Sequence, residues 1–250
     1  RLEGIFRSFP LIDDCGKIAW PGKFQTRDDI DALKRSIGSD AAWQREYLLR
    51  IIVDEERVIH PEWIQYYDGL PPYEGTGYRF TATGIDLAIS ESETANFTAM
   101  VSARIYGYGK NLRVYILPNP VNEKLTFPKT LEKAKMLSRI LGDGRPTELL
   151  IEEVGYQTAM VQELRHEGFP AKGIKVRGQD KRARFTLNSH LIQDGRVLFP
   201  RKGAERLLQQ MIGFGVEKND DLVDALAILL LYVQENIGGA LCFTRIDDYS

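Results

Sequence analysis

The order of strand-type and helix-type segments from Tyr78 onwards restricts what this chain can fold into. Residues 78–89, 97–106 and 112–117 are rich in β-branched and aromatic side chains, and short connections between them predict an antiparallel meander. A helix is predicted over about 128–141. The apolar run 148–154 is typical of a fully buried parallel strand. This order, β-β-β-α-β, predicts an α/β fold with a mixed sheet.

Helices dominate the chain after this fourth strand. They are predicted over about 158–165, 180–192, 204–211 and 220–235, and short extended segments are predicted over 173–176 and 197–200. Strands that come first and helices that come later indicate a layered α/β fold, in which side chains at strand ends converge.

The first 74 residues have a different pattern. Helical stretches over about 28–37 and 40–52 precede the breaker Pro71-Pro72, so we interpret residues 1–74 as a helical or irregular N-terminal arm. Residues 75–238 are expected to form the main domain, and residues 239–250 a C-terminal tail.

The composition is that of an ordinary soluble protein, with 43% hydrophobic and 27% charged residues among 250. The two cysteines, Cys15 and Cys242, have no metal-type or redox spacing, so a reducing cytoplasm fits best. The longest apolar run, 225–233, is far shorter than the roughly 20 residues of a membrane span, and no membrane association is expected.

Three acidic residues lie at the edges of apolar segments that should be buried: Asp86, Glu152 and Asp224. Carboxylates are rarely buried without a compensating positive charge. No Lys or Arg is close to any of the three in sequence, so this charge must come from elsewhere in the fold or from outside, and a divalent metal ion is the leading candidate. Tyr156 and Gln157 follow soon after Glu152 and are further candidates to line such a site.

Neighbouring acids leave two alternatives open. Strand alternation sends only one of Glu152 and Glu153 into the site, and the sequence alone does not choose between them. Asp221 lies three residues before Asp224, on the same face of the last predicted helix, and is a candidate fourth ligand. Asp220 and Asp221 are also adjacent, so the same ambiguity applies to them.

Residues 172–206 carry a strong positive charge. Ten basic residues stand against three acidic ones in this segment, a local excess of +7, which suits the binding of phosphates. The alternative is a solvated helix face whose charge is balanced by acids elsewhere in the fold.

Four motifs follow one another along the chain: Gly84-Ile85-Asp86-Leu87-Ala88, Ile151-Glu152-Glu153-Val154-Gly155, Asp180-Lys181-x-x-Arg184 with the later Asp194-Gly195-Arg196-Val197-Leu198-Phe199-Pro200, and Asn219-Asp220-Asp221-Leu222-Val223-Asp224-Ala225-Leu226. In this order they resemble the C-terminal nuclease domain of the large terminase subunit of tailed bacteriophages, a family with an RNase H-like fold. The resemblance covers roughly residues 78–236. The arm is similar to the stretch that joins the packaging motor to the nuclease.

The resemblance implies that Asp86, Glu152 and Asp224 bind metal and are catalytic, and that Asp221 matches an additional ligand of some members. Oxygen ligands without His or Cys favour Mg²⁺ or Mn²⁺ over zinc. Two ions are expected, and with them hydrolysis of phosphodiester bonds in concatemeric double-stranded DNA.

The basic segment is expected to bind the DNA backbone without sequence specificity. The candidate contacts are Lys181, Arg182, Arg184, Arg177, Arg201 and Lys202, and the family pattern puts Lys181 and Arg184 nearest the acids.

The implied partners are the terminase ATPase motor, the small terminase subunit and the portal, in the cytoplasm of the infected bacterium. No Gly-Lys of the chain is part of a phosphate loop, so the chain is expected to be a portion of a longer protein or a split nuclease subunit. The alternatives are another RNase H-like nuclease, of the junction resolvase or transposase type, and a non-catalytic docking module for the portal or motor.

Overall fold

A computed structural model describes residues 9–13, 16–37, 43, 46–48, 57–74, 77–87, 96–153, 155, 157–175, 181–214 and 220–237. The chain divides into two compact units, Arg1–Arg57 with Gly213–Asn219 and Val58–Ile212 with Asp220–Ser250. The predicted C-terminal tail, 239–250, lies outside the described residues.

The smaller unit contains helix α1, Arg27–Ile37, which confirms the helix predicted over 28–37. Thr26 and Asp29 cap its start reciprocally: the Asp29 carboxylate accepts a hydrogen bond from the backbone N–H of Thr26 (2.9 Å), and the Thr26 hydroxyl accepts one from the N–H of Asp29 (3.3 Å). Most of the helix predicted over 40–52 lies outside the described residues. The apolar core of this unit consists of Leu11, Phe24, Ile30 and Trp43.

The larger unit is built on one eight-stranded sheet within the described residues. Its strands are β1 Gln65–Tyr67, β2 Tyr78–Leu87, β3 Asn96–Tyr106, β4 Arg113–Ile116, β5 Val121–Leu125, β6 Thr147–Glu152, β7 Ala171–Ile174 and β8 Val197–Pro200. They lie in the order β1-β8-β4-β3-β2-β6-β7, and β5 pairs with β3.

The directions of the central strands define the fold. Strands β2, β3 and β4 form an antiparallel meander, whereas β6 runs parallel to β2 and β7 runs parallel to β6. Among the described residues of this unit, five helices accompany the sheet: α2 Phe127–Ile140, α3 Gln157–His166, α4 Lys181–Gln193, α5 Glu205–Ile212 and α6 Asp221–Asn236. The predicted α/β fold is confirmed, with a mixed sheet of antiparallel and parallel strands between helices.

Two strands escaped the sequence analysis, and both depend on tertiary pairing. Strand β5 contains Asn, Glu and Lys and has little intrinsic preference for a strand, but it pairs with the first half of β3, because β4 occupies only the second half. The three residues of β1 lie within the segment assigned to the N-terminal arm, yet they pair with β8, so the sheet begins earlier in the chain than expected. Strand β7 also begins two residues before the predicted segment at 173.

The two faces of the sheet have different coverings. One face packs against α2 and α3 through an apolar cluster that includes Ile85 and Ile151. Helix α6 packs against β2 and β3 with residues 222–230 all buried. No helix among the described residues combines the length and apolar character needed to cross a membrane.

Candidate active site

Asp86 and Glu152 lie side by side on adjacent strands. Ile85 of β2 pairs with Ile151 of β6 in parallel register, and Asp86 and Glu152 are the next residues of the two strands. Because successive side chains alternate between the faces of a sheet, both acids project from the face opposite to the cluster of Ile85 and Ile151. The register of β2 and β6 therefore places two carboxylates together at the carboxyl ends of these strands.

Helix α6 brings Asp224 to the same place. It crosses β2 at Gly84, where a Cβ atom would lie 2.1 Å from the carbonyl oxygen of Ala225 and 3.0 Å from the Cβ of Leu229. Only glycine allows two backbones to approach so closely. Gly84 and Asp86 share a face of β2, and Asp224 directly precedes Ala225, so the first turn of α6 lies over the strand end that carries Asp86.

Asp86 is a half-buried acid whose pKa is strongly raised. Burial and the negative charge of Asp224 raise its pKa to about 7, Glu152 and Asp221 add to the effect, and the positive charge of Lys181 opposes it. No described residue forms an ion pair with Asp86. The ionised form of Asp86 is thus electrostatically unfavourable unless a further cation is present.

Two basic side chains at the start of α4 face the other acids. The Lys181 Nζ atom lies 2.5 Å from Oδ2 of Asp224 and 3.4 Å from Oδ1 of Asp220. One turn later, Nη1 of Arg184 lies 3.3 Å from Oε1 of Glu152. The acids have no basic residue close to them in sequence, and part of the positive charge that compensates them comes from α4, which is distant along the chain.

The Lys181–Asp224 pair joins an exposed side chain to a buried one. The Asp224 side chain is 7% exposed, and burial raises its pKa while the hydrogen bond from Lys181 opposes the shift. Burial disfavours the charged form of Lys181, but the hydrogen bond and charge of Asp224 outweigh it and raise the pKa of Lys181. Burial, followed by the neighbouring charge of Asp220, also raises the pKa of Asp221.

The structure separates the two adjacent glutamates. Glu152 contacts Arg184, whereas Glu153 is exposed and lies over Gly173 of β7, where a Cβ atom would be 3.2 Å from the Glu153 Cδ. Glu152 therefore belongs to the acid cluster by position, and Glu153 points to the next strand. The structure does not separate Asp220 from Asp221 in the same way. Asp220 contacts Lys181, and the charge of Asp221 raises the pKa of Asp86.

Among the described residues, the remaining candidate DNA contacts are Arg182, Arg201 and Lys202. Arg182 is exposed on α4, and Arg177 lies outside the described residues. Arg201 and Lys202 are exposed directly after β8, and Nε of Arg201 is 2.5 Å from Oδ1 of Asp68. Strand β8 is parallel to β4 and hence to β2, three strand positions or about 14 Å away, so both residues lie at the sheet edge that carries the acids.

Two buried glutamines border the cluster. Gln157, at the start of α3, is 2% exposed, and its Nε2 donates a hydrogen bond to the carbonyl oxygen of Leu87 (3.1 Å). Gln210 of α5 is 4% exposed, and its Oε1 accepts one from the backbone N–H of Leu222 (3.0 Å). The sequence analysis missed Gln210, because a single glutamine in an amphipathic helix carries no pattern. Tyr156 lies outside the described residues.

The donor set suits a hard divalent cation. It offers only carboxylate oxygens, and Asp86, Glu152, Asp220, Asp221 and Asp224 exceed the two facing cations, Lys181 and Arg184, by three charges. As the side chains stand, no three His, Cys, Asp or Glu residues of the described chain are close enough together to hold one ion. An ion that takes Oδ2 of Asp224 displaces Lys181 from that oxygen.

Comparison with protein-family models and with curated proteins finds no match. Solved structures of similar fold include the large terminase nuclease of the thermophilic phage G20c with bound magnesium, which is 16% identical over 70% of this chain and 96% of its own, with a TM-score of 0.48. The terminase nuclease domain of human cytomegalovirus, soaked in manganese, is 16% identical over 75% of this chain and 97% of its own (TM-score 0.48). The large terminase nuclease domain of Thermus phage P74-26 is 16% identical over 69% and 92% (TM-score 0.45).

Proposed function

We propose that this chain is a metal-dependent endonuclease of a DNA-packaging terminase, which cuts concatemeric double-stranded DNA with little sequence specificity. The observation that carries the proposal is Asp86, a half-buried acid without an ion pair among the described residues, beside Glu152 and Asp224 at the end of the sheet. The terminase assignment rests on the four sequence motifs, which carry these same acids in order.

Asp86, Glu152 and Asp224 would hold two Mg²⁺ or Mn²⁺ ions, with Asp221 as a fourth ligand. When bound, such a pair of ions supplies activation of the attacking water and stabilisation of the leaving 3′ oxygen. The charges of Asp224, Glu152 and Asp221 all act on Asp86, so we assign it the central position. Its ionised form, which metal binding requires, prevails above about pH 7 in the metal-free protein.

Lys181 and Arg184 have two roles in this proposal. In the metal-free protein they offset the charge of Asp224 and Glu152. With ions on these carboxylates, both side chains would be free to bind phosphates of the DNA backbone beside the cleavage site.

The decisive experiment is cleavage of a plasmid in the presence of Mg²⁺ or Mn²⁺. Asp86→Asn should abolish cleavage while the protein stays folded, because an amide cannot replace an ionised central ligand. Asp143→Asn is the matched control, since Asp143 is an exposed acid in the turn before β6, at the opposite end of that strand. Cleavage that survives in Asp86→Asn would eliminate the proposed mechanism, and a strong preference for four-way junctions would support a resolvase instead.

The DNA surface is tested by the salt dependence of binding. We propose that Arg201 and Lys202 extend the contact made by Lys181, Arg182, Arg184 and Arg177. Lys202→Ala should lower the slope of log affinity against log salt by about 1, whatever the DNA sequence. Lys129→Ala, which removes an exposed charge from α2, should leave the slope unchanged. Equal slopes for all three proteins would remove Lys202 from the interface.

The terminase motor, the small terminase subunit and the portal are proposed as partners of the same chain. The direct test is co-purification of each partner with a tagged form of this chain. The partner should not be recovered when this chain is omitted.

A further inference from the structure

Two neutral side chains bind the backbone next to the acids. Gln157 binds the carbonyl of Leu87, the residue after Asp86, and Gln210 binds the N–H of Leu222, the residue after Asp221. Both glutamines are almost fully buried, at 2% and 4% exposure. The two hydrogen bonds thus hold the two segments that carry the central acid and the helix acids.

Gln157 acts where the pairing of β2 with β6 has ended, although β2 still pairs with β3 there. The last pair between β2 and β6 is Ile85 with Ile151, so the Leu87 carbonyl lies two residues beyond the ladder. After β6 the chain turns into α3, and the Gln157 amide donates to this carbonyl from the first position of that helix. The end of β2 remains tied to the segment that follows Glu152.

Gln210 acts at the open start of α6. The first turn of a helix leaves backbone N–H groups without partners, and the side chain of Asp220, which directly precedes the helix, makes no capping bond. Gln210 reaches across from α5 and accepts the bond from Leu222. The carboxylate of Asp220 is therefore spared the capping role that acids at this position usually have.

The acids need this support because they repel one another. The first turn of α6, which carries Asp221 and Asp224, lies over the strand ends that carry Asp86 and Glu152, so their ionised forms push the end of β2 away from the start of α6. A hydrogen bond from a neutral amide resists this displacement without adding a charge or competing for a cation. Lys181 and Arg184 offset part of the same repulsion, but they occupy carboxylate oxygens in doing so.

We propose that Gln157 and Gln210 are positioning residues that hold the acids in a geometry able to bind divalent metal. The inference rests on the proposed function, since it concerns the same acids. Side chains that orient metal ligands from behind contribute about 10- to 100-fold to metal affinity.

The test is calorimetric titration of the metal-free protein with Mn²⁺, at a temperature where every variant is folded. Gln157→Met and Gln210→Met keep the side-chain volume but remove the hydrogen bond, and each should raise the Kd for Mn²⁺ about 10- to 100-fold. Ser138→Ala is the matched control, because it removes a buried hydrogen bond from α2 to the carbonyl of Thr147, at the far end of β6. This control should bind Mn²⁺ like the wild type.

A pair of glutamates separates positioning from general stability. Gln210→Glu keeps an acceptor for the Leu222 N–H and should retain Mn²⁺ affinity, whereas Gln157→Glu loses its donor and should not. Where a methionine variant does not fold, Gln157→Asn or Gln210→Asn replaces it. Asparagine keeps the amide, but its side chain is one methylene shorter and does not reach the backbone partner. Loss of affinity in Ser138→Ala equal to that of the glutamine variants would overturn the inference.

The outcomes also distinguish this inference from the proposed function. If the wild type binds Mn²⁺ and Asp86→Asn does not, but both methionine variants bind like the wild type, only the positioning role fails. If the wild type itself binds no Mn²⁺, the metal-dependent function fails, and the positioning role fails with it.

Discussion

Substitution of Gly84 by alanine should break the contact that places Asp224 over Asp86. The added Cβ would lie 2.1 Å from the carbonyl oxygen of Ala225, whereas a carbon–oxygen contact needs about 3.3 Å. Helix α6 or strand β2 must therefore move by about 1.2 Å. The atoms involved belong to the backbone, so rotation of a side chain cannot relieve the clash.

This displacement has two measurable costs. Overpacking of a buried contact usually costs about 1–3 kcal/mol, and we expect the top of that range, about 3 kcal/mol of unfolding free energy, because both partners are backbone atoms. A shift of about 1 Å at a catalytic group costs on the order of 100-fold in rate, and Asp224 directly precedes the residue that must move. Gly84→Ala should therefore lose both stability and cleavage.

Urea unfolding and plasmid cleavage measure the two effects, and Gly69→Ala is the control. A Cβ added at Gly69 would have no described atom within 4 Å, and the φ of this residue is not positive, so the substitution should change the unfolding free energy by less than about 0.5 kcal/mol. If Gly84→Ala unfolds and cleaves like the wild type, the close approach of α6 to β2 is wrong. If it is destabilised but retains full cleavage, the packing is right and the link from Gly84 to the acids is wrong.

Three further predictions concern the acid cluster. The pKa of Asp86 is raised to about 7 in the folded state, from about 4 in the unfolded chain. Between these pH values the folded state binds a proton that the unfolded state does not. This group therefore makes the unfolding free energy of the metal-free protein fall as pH rises from about 4 to 7. Urea titrations at pH 5 and 8 should show this fall in the wild type and a smaller one in Asp86→Asn; identical pH profiles would contradict it. Glu152→Gln should abolish metal-dependent plasmid cleavage and Glu153→Gln should not, since only Glu152 of the two contacts Arg184. The reverse result would make Glu153 the metal ligand. Lys181→Met should lower the Kd for Mn²⁺ in calorimetry, because the lysine no longer competes for a carboxylate oxygen of Asp224. The same substitution should weaken DNA binding. Weaker Mn²⁺ binding would show that Lys181 orders the acids instead.

Local pattern was sufficient for most of the secondary structure. The apolar run that became β6 and the strongly apolar helix α6 are long enough for periodicity to identify them. The failures were β1 and β5, three and five residues long, which are strands only because β8 and β3 offer them a free edge. Strand β1 has two tyrosines but is too short for a period-2 pattern, and β5 has a single β-branched residue, Val121, so neither segment predicts a strand by itself.

The sequence by itself determined that carboxylates occur where burial makes them costly. Asp86, Glu152 and Asp224 were identified by the apolar residues around them, because desolvation of a charge is unfavourable in any fold. Their spacing along the chain, 66 and 72 residues, says nothing about whether they meet.

Only the tertiary structure decided how the acids are arranged and compensated. The register of β2 and β6 and the close approach at Gly84 bring them together, since both depend on segments far apart in the chain. The same folding turned Glu152 toward Arg184 and Glu153 toward β7, and it brought Lys181 to Asp224. Strand alternation gives two equivalent choices until a neighbouring element selects one, so no local pattern contains this information.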